Sequence, residues 1–486
     1  MERLRLFELK KSLPGLVLGT GMLALCGALA PDNRFLPGLL LILSAVVLYL
    51  WFSCFVARKN WWDIRAVFSA IWLATIGLAS FRLTDYQELW AYKTWLCVAA
   101  AYAMFIFGSS WGIGWGGRFQ QYFSERKDWP FRRIKFGMRP ERLFWICFVV
   151  TLIGLASFSA NVAIRGYIPY FSNDINAYVN FYTKFHIFST ASTLISGLSY
   201  YTLVTQKLPL WKKAFLVFSI VYATFLFPML VVSRGIFLCA ALSLLTVVFY
   251  LHKKRFWVLA LCTLITIGFY AVGTDARGYT EDQLNGFFEP AQIIVTEPTT
   301  EPVTEPSTEL STEPGATVEP GVTDKPVVFQ LSGSAAFVYT YLTVSHDNFD
   351  MAVKHVEGFT YGARQLVPFN VILRMDWVDE VIGAQPSYRV RPHLNTINLV
   401  GDAYYDFGFA GVVVLMLIWS FAFGVIQSWY SKGQGIFSLI ALGVAMAPVT
   451  LCFFSPYMSL FQTWMYWGLA LIMFLVSSTT VVKKEK

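Results

Sequence analysis

Twelve stretches of the chain run for roughly 16–22 residues without a charged side chain, the length needed to cross about 30 Å of hydrocarbon. They lie near residues 14–30, 36–56, 66–81, 94–110, 143–160, 186–204, 214–232, 236–251, 256–272, 409–429, 434–453 and 458–478. Together they predict an all-α polytopic integral membrane protein of about twelve transmembrane helices, with one large, partly helical extracytoplasmic loop. The first stretch has the basic flanks of a signal peptide. It lacks a small-residue cleavage site and a second stretch follows within a few residues, so it reads as a retained span. The chain then divides into residues 1–272, a bundle of nine helices; 273–408, the outer loop; and 409–486, three helices and a cytoplasmic tail.

Composition agrees with the pattern. Of 486 residues 56% are hydrophobic and only 14% charged, where a soluble domain carries about 25% charged residues. A soluble enzyme, a secreted disulfide scaffold and a nucleic-acid factor are thereby excluded. The seven cysteines all fall in or at the ends of apolar stretches, which points to buried thiols rather than disulfides or zinc. With the N-terminus inside, the inner segments carry 25 of the 38 basic residues, eight of them between Arg118 and Arg142. This bias places both termini in the cytoplasm, and it makes the formal charge of +8 chiefly a topology signal.

The loop over 273–408 reverses that balance, with 19 acids against seven basic residues. Within residues 296–325, Thr296, Thr300, Thr304, Thr308 and Thr312 each precede a glutamate, in a Thr-Glu-Pro repeat of period four. Such a tract has no apolar face to bury and is expected to be disordered. Residues 329–408 read as folded. Phe337, Tyr341, Val344, Phe349 and Val353 mark one face of a helix over 335–356. Asn395 to Gly411 reads as a helix leading into the tenth span, with Asp402 and Asp406 four apart on one face.

No Asp, Glu, Lys or Arg lies in the middle of any of the twelve stretches. Ion-coupled transport and proton pumping usually need such groups, so the chemistry is expected at the outer surface. Arg234 sits in a tight outer turn, Ser233-Arg234-Gly235, where it can snorkel to lipid phosphate or bind the diphosphate of a lipid-linked substrate. Arg165 lies at another outer boundary. Arg277, Arg364, Arg374, Arg389 and Arg391 add cations on the same side, each also free to pair with a loop acid. His393 can act as a base or as a structural hydrogen-bonding group. No nucleophile elbow, P-loop, paired-His zinc motif or Asp-x-Asp motif is present, so a metal-independent reaction without a cofactor is the simpler expectation.

At Ser233-Arg234-Gly235, and at Asn395-Thr396 followed by Gly401-Asp402-Ala403-Tyr404-Tyr405-Asp406-Phe407-Gly408-Phe409-Ala410-Gly411, the chain resembles the Wzy-type oligosaccharide repeat-unit polymerases of O-antigen and capsular polysaccharide assembly. The Thr-Glu-Pro tract departs from that pattern. The resemblance implies a GT-C-like glycosyltransferase in the plasma membrane of a bacterium. Its substrates would be undecaprenyl-diphosphate-linked oligosaccharides, joined at the outer face. A flippase and a chain-length regulator of the same pathway are the implied partners, besides the lipid bilayer, and no nucleic acid is expected. Under this reading Asp402, Asp406 or His393 takes the acceptor proton and Asn395 and Tyr405 position the acceptor. Arg234, Arg277, Arg374, Arg389, Arg391, Arg165 and Arg364 are the candidate diphosphate ligands. A lipid-linked oligosaccharide flippase and a glycan ligase of the same fold remain as alternatives.

Overall fold

The computed structural model describes residues 2–84, 86–125, 134–138, 140–172, 177–181, 183–252, 333–391, 394–431 and 436–482. The expected span at 256–272, the Thr-Glu-Pro tract, Arg277 and His393 lie outside the described residues. The protein is a helical, membrane-embedded protein. Among the described residues six helices are long and apolar enough to cross a membrane: Glu8–Leu29, Phe35–Val56, Tyr92–Gly116, Glu141–Arg165, Leu210–Leu230 and Gly401–Trp429. Four shorter apolar helices accompany them, Ile64–Ser80, Gly235–Leu251, Ile436–Thr450 and Phe461–Ser477. The stretch expected as one span at 186–204 is a chain of shorter pieces, His186–Ala191, Ser192–Leu194 and Ile195–Thr205. Two five-residue strands, β1 (Ile134–Met138) and β2 (Ser478–Val482), pair antiparallel beside the helices.

Local signals start several helices. Asn33 Oδ1 accepts from the amides of Phe35 and Leu36, both at 2.9 Å, at the head of the second helix. Asp63 caps Ile64–Ser80 by accepting from the Arg65 amide at 3.0 Å. The same carboxylate pairs with the Arg65 guanidinium at 2.9 Å and accepts from Gln427, so this buried ion pair ties the third helix to Gly401–Ser431. Two helices loosen into π turns, at Trp51–Val56 and at Tyr222–Leu226 just before Pro228.

The closest pairing joins α4 (Tyr92–Glu125) to Gly401–Ser431. Gly108, Gly112 and Gly116, at steps of four, face that helix. A Cβ on Gly112 would run into the Phe421 carbonyl, and one on Gly116 would lie 2.9 Å from Ser428 Cβ. Gly424 meets Ser109 in the same way from the other side. Small residues at this spacing let two backbones touch, which is how helices associate where lipid supplies no hydrophobic drive.

Between the bundle and the tenth expected span lie α12 (Gly333–His355), α13 (Ala363–Leu373) and α14 (Asp376–Gly383). Phe337, Val344, Phe349 and Val353 of α12 are buried, as the periodicity predicts. The polar residues between them are buried too, Ser345, His346, Asp347, Asn348 and Asp350 among them. The helix expected over Asn395–Gly411 differs. Residues 394–398 are irregular, because Asn348 Nδ2 donates to the carbonyls of Leu394 and Thr396 at 2.6 and 2.7 Å. Leu399 N bonds to Cys452 O at 2.7 Å. The helix that follows, α15 (Gly401–Ser431), begins only at Gly401 and is broken at Phe407–Gly408, where Gly408 takes φ +60° and ψ −143°.

Candidate functional site

The break in α15 sets up the site. It ends a short helical piece at the head of α15, Gly401–Asp406, whose last carbonyls turn toward the segment before α13. Thr360 N donates to Tyr405 O at 3.0 Å and Tyr361 N to Asp406 O at 3.1 Å. Gly362, at φ +95°, then reverses the chain into α13, with Phe407 packed where a Cβ would stand. The Asp406 carboxylate completes the joint. It accepts from the Thr360 hydroxyl and from the amides of Arg364 and Gln365, each at 3.1 Å. These are first-turn amides of α13, so a fully buried carboxylate caps that helix from a different element.

Arg364 is thereby held one turn from Asp402. Its Nη1 donates to Asp402 Oδ1 at 3.3 Å, and Nε and Nη2 both donate to Gln385 Oε1 at 3.4 Å. The guanidinium carbon lies 3.9 Å from the centroid of the Tyr405 ring. The Tyr405 hydroxyl accepts from Tyr388 N at 3.2 Å, and Gln385 Nε2 donates to Gly358 O at 2.6 Å, so the platform and the clamp are both fixed. The side chains of Arg364 and Asp402 keep 17% and 12% exposure, the opening through which a ligand can reach them.

The other candidate residues are spread around this cluster. Asp406 and Tyr405 are buried beneath it. Asn395 is exposed, while the backbone on either side of it is held by Asn348. Arg374 is exposed at the C-cap of α13 in the left-handed region, φ +48°. Arg389 donates to Ser387 at 3.0 Å, and Arg391 is buried with its guanidinium 5.5 Å from the Tyr86 ring. Arg165 is exposed at the end of Pro140–Arg165. Arg234 is the first residue of Arg234–Leu251, right after the Val231–Ser233 turn that spacing requires.

A second polar group, which sequence reasoning did not single out, pins α12. Asp347 accepts from Gln87 Nε2 and Trp90 Nε1, each at 2.9 Å. Asp350 accepts from Ala91 N at 2.8 Å and Thr94 Oγ1 at 2.6 Å, and pairs with Lys354 at 2.8 Å. His346 lies between Thr75, at 3.0 Å, and Asn398, at 3.2 Å. Burial pushes the Asp347 carboxyl up to about 7 and the His346 imidazole down to about 3. Every carboxylate oxygen of Asp347 and Asp350 is thus spoken for, and the group acts as a latch between α12 and the 82–94 connection. Gln385 and Thr360 were equally unmarked, since their partners lie 21 to 46 residues away.

Among the described residues no three His, Cys, Asp or Glu side chains are grouped to hold a metal ion. The class of protein is therefore a helical membrane protein with a small arginine–carboxylate site on the face that carries its long connecting segment. No family model matches the chain, and neither does any curated protein or solved structure.

Proposed function

We propose that the Arg364–Asp402 site joins lipid-linked oligosaccharides, in a metal-independent glycosyl transfer at the outer face of a twelve-span bundle. The observation that carries the reading is the pairing of a cation and a carboxylate, both partly exposed, at the mouth of a membrane helix. The donor bonds of Arg364 are long, 3.3–3.4 Å, whereas a guanidinium on phosphate forms bonds of about 2.7–2.9 Å. A diphosphate can therefore displace Gln385 and Asp402 from the fork and leave Asp402 as a bare carboxylate beside it.

The step then balances. The anomeric carbon–oxygen bond of the donor breaks with its electron pair going to the diphosphate, whose growing charge Arg364 stabilises. The acceptor hydroxyl oxygen forms the new bond to that carbon, and its proton goes to Asp402. Asp406, which has no exposed oxygen, positions Arg364 through the helix it caps. The substrates are undecaprenyl-diphosphate-linked oligosaccharides, as the resemblance implies.

The test is complementation of a deletion strain at matched membrane levels, read by glycan-ladder electrophoresis. Wild type restores the ladder, whereas Asp402→Asn and Arg364→Ala leave single capped units on the surface. Glycan length unchanged by the deletion, or a full ladder from both variants, overturns the reading. Lipid-linked units trapped on the inner face would make the protein a flippase.

A further inference from the structure

The α13–α14 hairpin lies outside every apolar stretch of the sequence, yet it exposes large hydrophobic side chains. Ile372 is 68% exposed, Leu373 64% and Trp377 47%, with Val367 and Phe369 also uncovered beside them. Phe407 and Phe409 are also exposed at the break of α15 on which α13 is docked, and Phe407 packs against Gly362 at the head of α13. Below the break Ala410, Val414 and Ile418 continue the exposed stripe at steps of four down a helix long and apolar enough to cross the membrane. Asp376 and Asp379 are exposed on α14 on the sides turned from Trp377, Glu380 is exposed one turn after Trp377, and Arg374 stands at the corner between the two helices.

We infer that the α13–α14 hairpin is half-embedded in the lipid leaflet on its own side of the membrane. Ile372, Leu373 and Trp377 lie among the acyl chains, and Asp376 and Asp379 face water. The occupant of the patch is lipid rather than a protein, because Asp406 fixes the hairpin to the end of a membrane helix whose exposed apolar stripe starts at the same break. Its polar edge, its tryptophan and its corner arginine are the groups that settle at a headgroup boundary. Arg364 opens the same helix, so the Arg364–Asp402 pair is carried at headgroup depth, where the phosphate of a lipid-linked ligand lies. The inference rests on exposure and position and holds whatever reaction the site performs.

The experiment is site-directed spin labelling of the full chain in phosphatidylcholine–phosphatidylglycerol vesicles. Ile372→Cys, Leu373→Cys, Trp377→Cys and Asp376→Cys are labelled in turn, and identically treated wild type supplies the background from native thiols. Gel filtration checks that each variant folds. Collision rates with oxygen, which concentrates in acyl chains, and with a water-soluble nickel chelate are compared. The expected oxygen-to-nickel ratio is several-fold higher at 372, 373 and 377 than at 376. Equal ratios at the four sites, with nickel reaching all of them, overturn the inference. Shielding of 372, 373 and 377 from both reagents also overturns it and assigns the patch to a second copy of the chain.

Discussion

Two of the joints that hold Gly401–Ser431 in place are made in opposite ways. Along the span, Gly108, Gly112, Gly116 and Gly424 bring its backbone against α4 with no side chain between. At its outer tip, Asp406, Thr360 and the first amides of α13 form a joint of hydrogen bonds. The difference follows from solvent. Within hydrocarbon, apolar side chains gain nothing by leaving lipid, so contact area and closeness decide association. Outside it, each buried polar group must find a partner, and once all do, the arrangement is unique.

The comparison is broken most severely from the membrane side. Gly112→Leu drives a side chain into the Phe421 carbonyl, so the two helices must part. The loss should reach about 3 kcal/mol or more, seen as aggregation in detergent gel filtration and a large drop in melting temperature. At the outer joint, Asp406→Ala strands two helix-terminal amides and leaves the buried Thr360 hydroxyl with its longer bond to Tyr405 O, at 3.3 Å. A loss of about 2–4 kcal/mol is expected, read as faster hydrogen exchange over 360–373, with the span itself unaffected.

The latch on α12 sharpens the same contrast through pH. Asp347 holds its proton up to about 7 when folded and releases it near 4 when unfolded. The folded protein therefore binds more protons between those values, and the contribution of Asp347 to stability falls as pH rises through that window. Asp347→Asn cannot ionise, so the difference in melting temperature between wild type and variant should change with pH from 4 to 7 and level off above. A constant difference would assign the proton elsewhere. The smallest effect comes from a glycine outside both joints. Gly21 has open space around it, so Gly21→Ala should raise stability by about 0.5–1 kcal/mol in a melting experiment.

These two joints were unequally legible in the sequence. The apolar runs announced the membrane helices because hydrophobicity is summed over twenty neighbouring residues. The apolar stripe of α12 was equally plain. Its polar side was not, for His346, Asp347 and Asp350 occupy positions that periodicity assigns to solvent, where Gln87, Trp90, Ala91 and Thr94 meet the two carboxylates and Thr75 and Asn398 the imidazole. Arg364 was one arginine among seven candidates until Asp402, 38 residues on, was seen beside it. The role of Asp406 was hidden for the same reason, because it caps a helix 41 residues earlier in the chain. The break at Gly408 is not marked in the sequence either, since Phe407 and Phe409 on both sides of it extend the apolar run of the span.

That break separates two kinds of mutational freedom. The span below Gly408 answers to α4 and to lipid, whereas the six residues above it take their direction from Thr360 and α13. Phe359, packed where a Gly408 side chain would stand, keeps the two pieces at a fixed angle. Substitutions in the outer piece can re-aim Asp402 without shifting the register of the span. A chain built this way can change what it accepts at its surface while its membrane scaffold stays the same.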